Sequence, residues 1–208
     1  MYQPSHFRQT DRAELAALMQ AQPLATLVTT QGGELTVDHV PLLYEPGEGE
    51  YGTLRGHVAR ANPLWQQAAG SAVMAVFHGV QAYITPSWYP SKAATHKVVP
   101  TWNYAVVHAH GPLRAVEDAA WLHALVSRLT QQHEGRRAAP WAVSDAPEDY
   151  IAQMLNAIVG IEIVVTKLEG KFKLSQNRPE ADRAGTAEGL AAEPSPDAQA
   201  MAPLIRAR

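Results

Sequence analysis

Leu24-Ala25-Thr26-Leu27-Val28-Thr29-Thr30, then Gln31-Gly32-Gly33-Glu34, then Leu35 to Tyr44, is the passage on which the fold turns. The first seven residues are rich in β-branched side chains, the next four form a turn, and the chain then returns as a second strand. Pro46-Gly47 opens another turn, and Tyr51 to Val58 reads as a third strand. No helical period separates the three. Strands joined by such short turns are antiparallel neighbours, because a parallel pair needs a long crossover.

The flanks extend the pattern. Asp11-Arg12-Ala13-Glu14 has the capping-box form and is followed by Leu15, Leu18 and Met19 at helical spacing, so a helix is expected to end near Gln22-Pro23. Asn62-Pro63 is an N-cap residue followed by proline at the first helical position, which predicts a short helix through Ala69 that stops at Gly70. Ser71 to His78 and Gln81 to Thr85 read as a hairpin across Gly79-Val80. Pro86 to Lys97 is a proline-stiffened aromatic loop, and Val98 to Val116 is extended with an interruption at Gly111-Pro112.

Asp118 caps an amphipathic helix carrying Leu122, Leu125, Val126 and Leu129 on one face. A second helix after Pro147 turns Tyr150, Ile151, Met154, Leu155 and Ile158 to the core. Ile161 to Leu168, a Glu169-Gly170 turn and Lys171 to Leu174 make a closing hairpin. Beyond Arg183 the composition shifts to Ala, Glu, Pro and Gly, with a short helix reaching Leu190 and a disordered tail over 191–208. The expectation is one domain over 1–190, of α+β class and β-dominated: an antiparallel β-barrel with peripheral helices.

Composition narrows the function. Hydrophobic residues make up 46% of the 208 and charged residues 18%, enough apolar content for a real core. No apolar run approaches the roughly 20 residues that span a bilayer, and the first residues lack the charged head and apolar stretch of a signal peptide. Zero cysteines exclude a disulfide framework, a thiolate nucleophile and a Cys-based zinc site. A cytoplasmic protein with no membrane partner is expected. A net charge of −3 argues against a broad nucleic-acid footprint, although a local basic patch would be hidden in the sum.

Three clusters have the residue types that bind or react. In Gly52 to Pro63, Arg55 and His57 share a strand face, Arg60 sits at the turn, and Asn62 starts a helix. A phosphate monoester wants that combination of guanidinium, backbone donors and a favourable dipole end; solvated strand-end charges are the plainer reading. Trp88 and Tyr89 lie with Ser87, Ser91 and Lys92 in the stiff loop, and offer a flat surface either to a planar ring or to another subunit. On the strand that follows, Trp102 and Tyr104 alternate with Asn103, and His108 and His110 stand at i and i+2. No third ligand is near these histidines in sequence, so no metal site is expected. Asp38 and His39 are adjacent on a strand and point to opposite faces, so they cannot act as an acid–base pair. Nucleophile-elbow, zincin and phosphate-loop motifs are missing.

Taken together these runs resemble the PaiB family of FMN-binding negative transcriptional regulators. The resemblance spans Met1 to about Leu190. It is carried by Met1-Tyr2-x-Pro4-x-His6-Phe7, His39-Val40-Pro41-Leu42, Gly52 to Pro63, Ala82-Tyr83-Ile84-x-Pro86-Ser87-Trp88-Tyr89, Val99 to Tyr104 and Lys171-x-Lys173-Leu174-Ser175-Gln176-Asn177-Arg178. It implies a split β-barrel related to the pyridoxamine-phosphate oxidases, built as a homodimer with FMN between subunits. It further implies the FMN phosphate near Arg55, His57, Arg60 and Asn62, with Asp38, His39 and Val40 along the ring edge. Trp88, Tyr89, Trp102 and Asn103 are then ring or partner-subunit contacts, and Lys171 to Arg178 caps a ligand or touches a subunit.

Two functions follow. One is a flavin-dependent regulator of transcription, although there is no helix-turn-helix signature and DNA is not supported as a direct partner by charge or motif. The other is an FMN-dependent oxidoreductase, in which the flavin does the electron transfer and no catalytic dyad is needed. A haem-binding relative, using His57, His78 or His108 as an axial ligand, is a third reading.

Overall fold

The computed structural model describes residues 1–208, the side chain of Gln31 excepted. In chain order the elements begin with β1 (Arg8–Gln9), α1 (Arg12–Ala21), β2 (Leu24–Gln31), β3 (Glu34–Pro41), β4 (Leu43–Glu45), β5 (Thr53–Ala59) and α2 (Leu64–Gln67). They continue with β6 (Ala72–Ile84), α3 (Ser91–Thr95), β7 (Thr101–Val116), α4 (Ala119–Glu134) and α5 (Glu148–Asn156). Last come β8 (Ile158–Val164), β9 (Lys167–Lys173), α6 (Glu180–Ala192) and α7 (Pro196–Arg206).

Two compact units, interleaved in sequence, divide the chain. The first comprises residues 1–18, 78–107 and 169–208; the second comprises 19–77 and 108–168. β6 and β7 pair with one another and are long enough to supply a part to each unit.

In the second unit β2 returns as β3 through Gly32 and Gly33, whose φ angles of 58° and 89° give the primed two-residue turn that matches strand twist. β2 also pairs with β6, β5 lies between β4 and β8, and β8 reaches β7. All of these registers are antiparallel. Leu27, Leu54, Phe77, Leu113, Ile161 and Ile163 are fully buried, each contributing about 1.5–3 kcal/mol relative to exposure. Asp118 accepts the Trp121 amide at 2.7 Å and caps α4, as its sequence predicts. The Trp121 ring then packs on β8 at Gly160, where a Cβ would come within 2.3 Å of it.

In the first unit β1 pairs with β9, and α6 packs on α7. The segment read as a disordered tail forms α7, with Ser195 as its cap and Ala198, Met201, Ala202 and Ile205 buried. Those four positions follow i, i+3, i+4, i+7, a stripe in which alanine serves as the apolar residue. Arg208 closes the arrangement with an ion pair to Glu14. Deleting Pro196 to Arg208 is therefore expected to lower the melting temperature by roughly 5 °C or more, read by thermal denaturation. An unchanged melting curve would show that α7 contributes no stability.

Four other expectations are corrected. β6 is one strand through Gly79, whose Cβ would lie 3.0 Å from Leu18 and 3.2 Å from the Ala105 carbonyl oxygen. β7 runs unbroken through Gly111-Pro112, because Gly111 passes the Val164 carbonyl too closely for any side chain, 2.2 Å from a Cβ. Glu169-Gly170 lies inside β9 opposite Gln9, so β8 and β9 are not a hairpin. On α5 no residue is buried, Tyr150 being 52% and Met154 39% exposed, and Ile158 belongs to β8.

Candidate functional site

β5 carries its predicted cation into a network of charges. Arg55 donates from Nε to Glu162 at 2.8 Å and from both terminal nitrogens to Glu48 at 2.8 and 2.5 Å. Arg114 of β7 reaches the other oxygen of Glu162 at 2.7 Å. Glu162 is buried, and burial alone would push its carboxyl up; hydrogen bonds from Arg55 and Arg114 outweigh that and hold it below the ordinary value. The Arg55 guanidinium is thus matched by two carboxylates. A phosphate would have to displace Glu48, the more exposed of the two.

Arg60 is committed in the same way, donating to Glu117 at 2.5 Å and to the carbonyls of Asn156 and Ile158 at 2.8 and 3.2 Å. It ties the end of β5 to the start of β8. Asn62 accepts the Leu64 amide at 2.9 Å and donates to Asp38 on β3 at 2.8 Å, so two of the predicted residues are brought together. The helix it opens, α2, is a single turn of four residues, too short for a useful dipole. His39 is exposed on β3 and Val40 is buried beside it.

His57, two residues past Arg55, differs from the arginines. Its Nδ1 is buried without a hydrogen-bond partner, and burial pushes its pKa down. A neutral imidazole with one uncommitted nitrogen can serve a bound polar group. The lowered value also carries a sign. The unfolded chain takes up this proton first, so stability is full above the ordinary histidine value and falls as pH drops through it. Replacing His57 with Phe is expected to flatten that part of the stability–pH curve between neutrality and pH ~5, measured by urea unfolding.

In the first unit the aromatic candidates divide. Tyr89 is buried, its Oη has no partner, and the Arg178 guanidinium lies 4.8 Å from its ring centroid. Trp88 packs on α6: a Cβ at Gly189 would come within 2.3 Å of its indole, and one at Gly185 within 2.2 Å of its carbonyl oxygen. Trp102 is 53% exposed and sits edge-on to Tyr83, ring centroids 6.2 Å apart. It also lines a cavity of about 290 Å³ with His78, Gly79, Gln81 and Tyr104. Asn103 is fully buried and donates to Ser175 at 2.8 Å, while its Oδ1 is unpartnered. A cavity of about 820 Å³ lies among α4, α5 and the loop bearing Trp141, and no predicted site residue lines it.

Sequence reasoning missed Glu162 and the structural role of Gly185 and Gly189. A glutamate set between Ile161 and Ile163 in an apolar strand was the available signal for the first. For the glycines, the i, i+4 spacing was visible but not the ring that it admits.

Residues 1–167 match the family described as "Putative FMN-binding domain". The chain is 34% identical over 206 residues to "Protease synthase and sporulation protein PAI 2" of Bacillus subtilis, covering 99% of this chain and 96% of that protein. It is 33% identical to an uncharacterized protein of Emericella nidulans, covering 93% and 92%. Among solved structures, a flavocytochrome from Azotobacter vinelandii superposes with a TM-score of 0.58 at 13% identity, over 86% of this chain and 75% of that one. The FAD and heme binding protein from Mycobacterium smegmatis gives 0.59 at 15%, over 80% and 73%. At such identities the likeness is one of fold. The chain belongs to the FMN-binding split-barrel family of the PaiB type, and the expected α+β class, an antiparallel split barrel with peripheral helices, is the class observed.

Proposed function

We propose that this chain binds FMN as a homodimer and acts as a regulator of the PaiB type. The observation that carries the flavin reading is the buried, uncommitted Nδ1 of His57, on β5 and inside the stretch matched by the family. The donor set around it fits a phosphate only in part. Arg55 and Arg60 are ion-paired to glutamates and Asn62 is engaged with Asp38 and the Leu64 amide, which leaves His57 as the residue with an uncommitted polar atom to hold the cofactor there. When bound, FMN supplies electron transfer through its ring; the protein supplies position and hydrogen bonds.

Exposed apolar side chains favour a second copy as partner. Leu24, Leu35 and Val37 are 58%, 78% and 51% exposed in the second unit, and Tyr83, Val99 and Trp102 are exposed in the first. The regulatory reading draws on the near full-length similarity to a protein named for protease synthesis and sporulation. It does not need direct DNA contact. The one arginine of α4, Arg128, is ion-paired to Glu45. No helix of the described residues is long and apolar enough to cross a membrane.

An FMN-dependent oxidoreductase is the second reading, favoured by the ion pair that takes up the one arginine of α4. NADH or NADPH bleaching of bound flavin, with recovery in air, would select it; a promoter fragment shifted at physiological salt would select direct repression. Substituting His57 with alanine is expected to weaken FMN about tenfold more than riboflavin. Equal losses for both flavins would remove the phosphate from this end of β5.

A further inference from the structure

The run Lys171 to Arg178, on and just after β9, is held by ring contacts and side-chain hydrogen bonds within the first unit. Lys171 lies between two rings, 5.6 Å from the centroid of Tyr2 and 5.4 Å from that of Tyr104. Lys173 donates to Thr101 at 2.5 Å and lies 6.0 Å from the Phe7 ring. Arg178 stacks over Tyr89. These aromatic contacts place the cationic heads without neutralising them.

Among the described residues, none of the three is ion-paired to a carboxylate. Nearby acids are used otherwise: Glu169 meets the Met1 ammonium at 3.5 Å, and Asp182 accepts from the Ser91 hydroxyl at 2.7 Å. The Lys173 ammonium is pushed down by burial, with Lys171 and Arg178 adding to it and Tyr104 opposing. Three cations gathered without an anion repel one another, and folding alone gives no reason to assemble them.

The turn beyond Lys173 is built to hold its shape. The Gln176 side chain accepts the Leu174 amide at 2.7 Å and donates to the Phe172 carbonyl at 2.6 Å. The Arg178 amide donates to the Ser175 carbonyl at 2.9 Å. Ser175 is buried in the left-handed region at φ 64°, a conformation that a serine keeps only when its surroundings impose it. Fully buried Asn103 donates to this serine and keeps an unpartnered Oδ1, and Tyr89, under Arg178, keeps an unpartnered hydroxyl. Strain and uncompensated charge in this segment therefore meet unsatisfied buried polar atoms of Asn103 and Tyr89, which contact it through Ser175 and Arg178.

We propose that Lys171, Lys173 and Arg178 form a binding site for the dianionic head of a phosphate monoester. Two ammonium groups supply charge, the planar guanidinium supplies paired donors, and a buried phenol hydroxyl adds a neutral donor. The occupant is either the flavin's own phosphate or that of a separate phosphorylated molecule. The inference does not depend on flavin binding at β5.

The test is calorimetric titration of flavin-free, full-length protein with inorganic phosphate. Saturable binding is expected in the wild type, about tenfold weaker for Lys173→Gln or Arg178→Gln, with Lys173→Arg restoring most of it. Phosphate should also raise the melting temperature of the wild type and of Lys173→Arg more than that of Lys171→Gln, Lys173→Gln or Arg178→Gln, so a poorly folding variant does not decide the matter. Titrating FMN and riboflavin at saturating phosphate then separates the sources. Weakening of FMN alone assigns the site to the flavin phosphate, and no effect on either assigns it to a second ligand. Absence of saturable binding in the wild type, or equal binding by the glutamine variants, would overturn the proposal.

Discussion

Replacing Glu162 with alanine is expected to destabilise the protein by about 3 kcal/mol, the size seen when one member of a buried ion pair is removed. Glu162 is 8% exposed and is shared by Arg55 and Arg114; without it Arg55 keeps only the exposed Glu48, in a half-buried position on β5. For a chain of this length the melting temperature should fall by roughly 6–12 °C. The network also sets a pH window. Because the folded carboxyl sits below its ordinary value, this stability is present above the unfolded glutamate range and is lost as pH falls through the folded value. Glu162→Ala should therefore lose much of the acid-induced destabilisation along with the stability itself. A variant as stable as the parent at pH 7 would show that the two arginines need no buried counter-charge.

Trp88→Ala is the second large expectation, and it bears on the site. The indole fills the space left by Gly189, and the chain at Trp88 passes Gly185 closely, so this residue anchors α6 on the loop. Its loss should cost about 3 kcal/mol, at the low end for a tryptophan because the ring is only half-buried. Gly185→Val should cost a similar amount from the opposite side, since its Cβ would meet a backbone oxygen. Flavin affinity should change less than about threefold in Trp88→Ala, if packing is the role of the ring. Full stability with lost flavin would instead return Trp88 to the ring contacts that the family resemblance implies.

What the sequence made legible was mostly local. Alternation and turn chemistry located β2, β3 and β5, and capping residues located α1 and α4, because each depends on neighbours a few residues away. Gly79, Gly111 and Gly170 show where local reading stops. Each was read as a turn or interruption, yet each sits inside a strand; at Gly111 and Gly170 another part of the chain comes too close for a Cβ, and at Gly79 it would be a tight fit. The tail failed for a related reason: alanine-rich composition suggested disorder, and the Ala198–Ile205 stripe acquires meaning only once α6 is there to receive it.

The candidate site was legible as residue types and less so as chemistry. Arg55 and Arg60 were right for a phosphate by type, but their carboxylate partners Glu162 and Glu117 are distant in sequence, and pairing removes most of their charge. His57 gained weight by the same comparison, since its lack of a partner shows only in three dimensions. Among the described residues Lys171, Lys173 and Arg178 have no carboxylate partner, and the density of this run was plain in the sequence while its organisation was not.

The central claim is that this split barrel holds FMN. It is tested by the visible absorption spectrum of purified protein, taken before and after incubation with FMN and removal of free flavin on a desalting column. Retained flavin bands at about one FMN per subunit are the predicted result. A colourless protein after desalting, from a sample that is folded and saturable with neither FMN nor riboflavin, would contradict it.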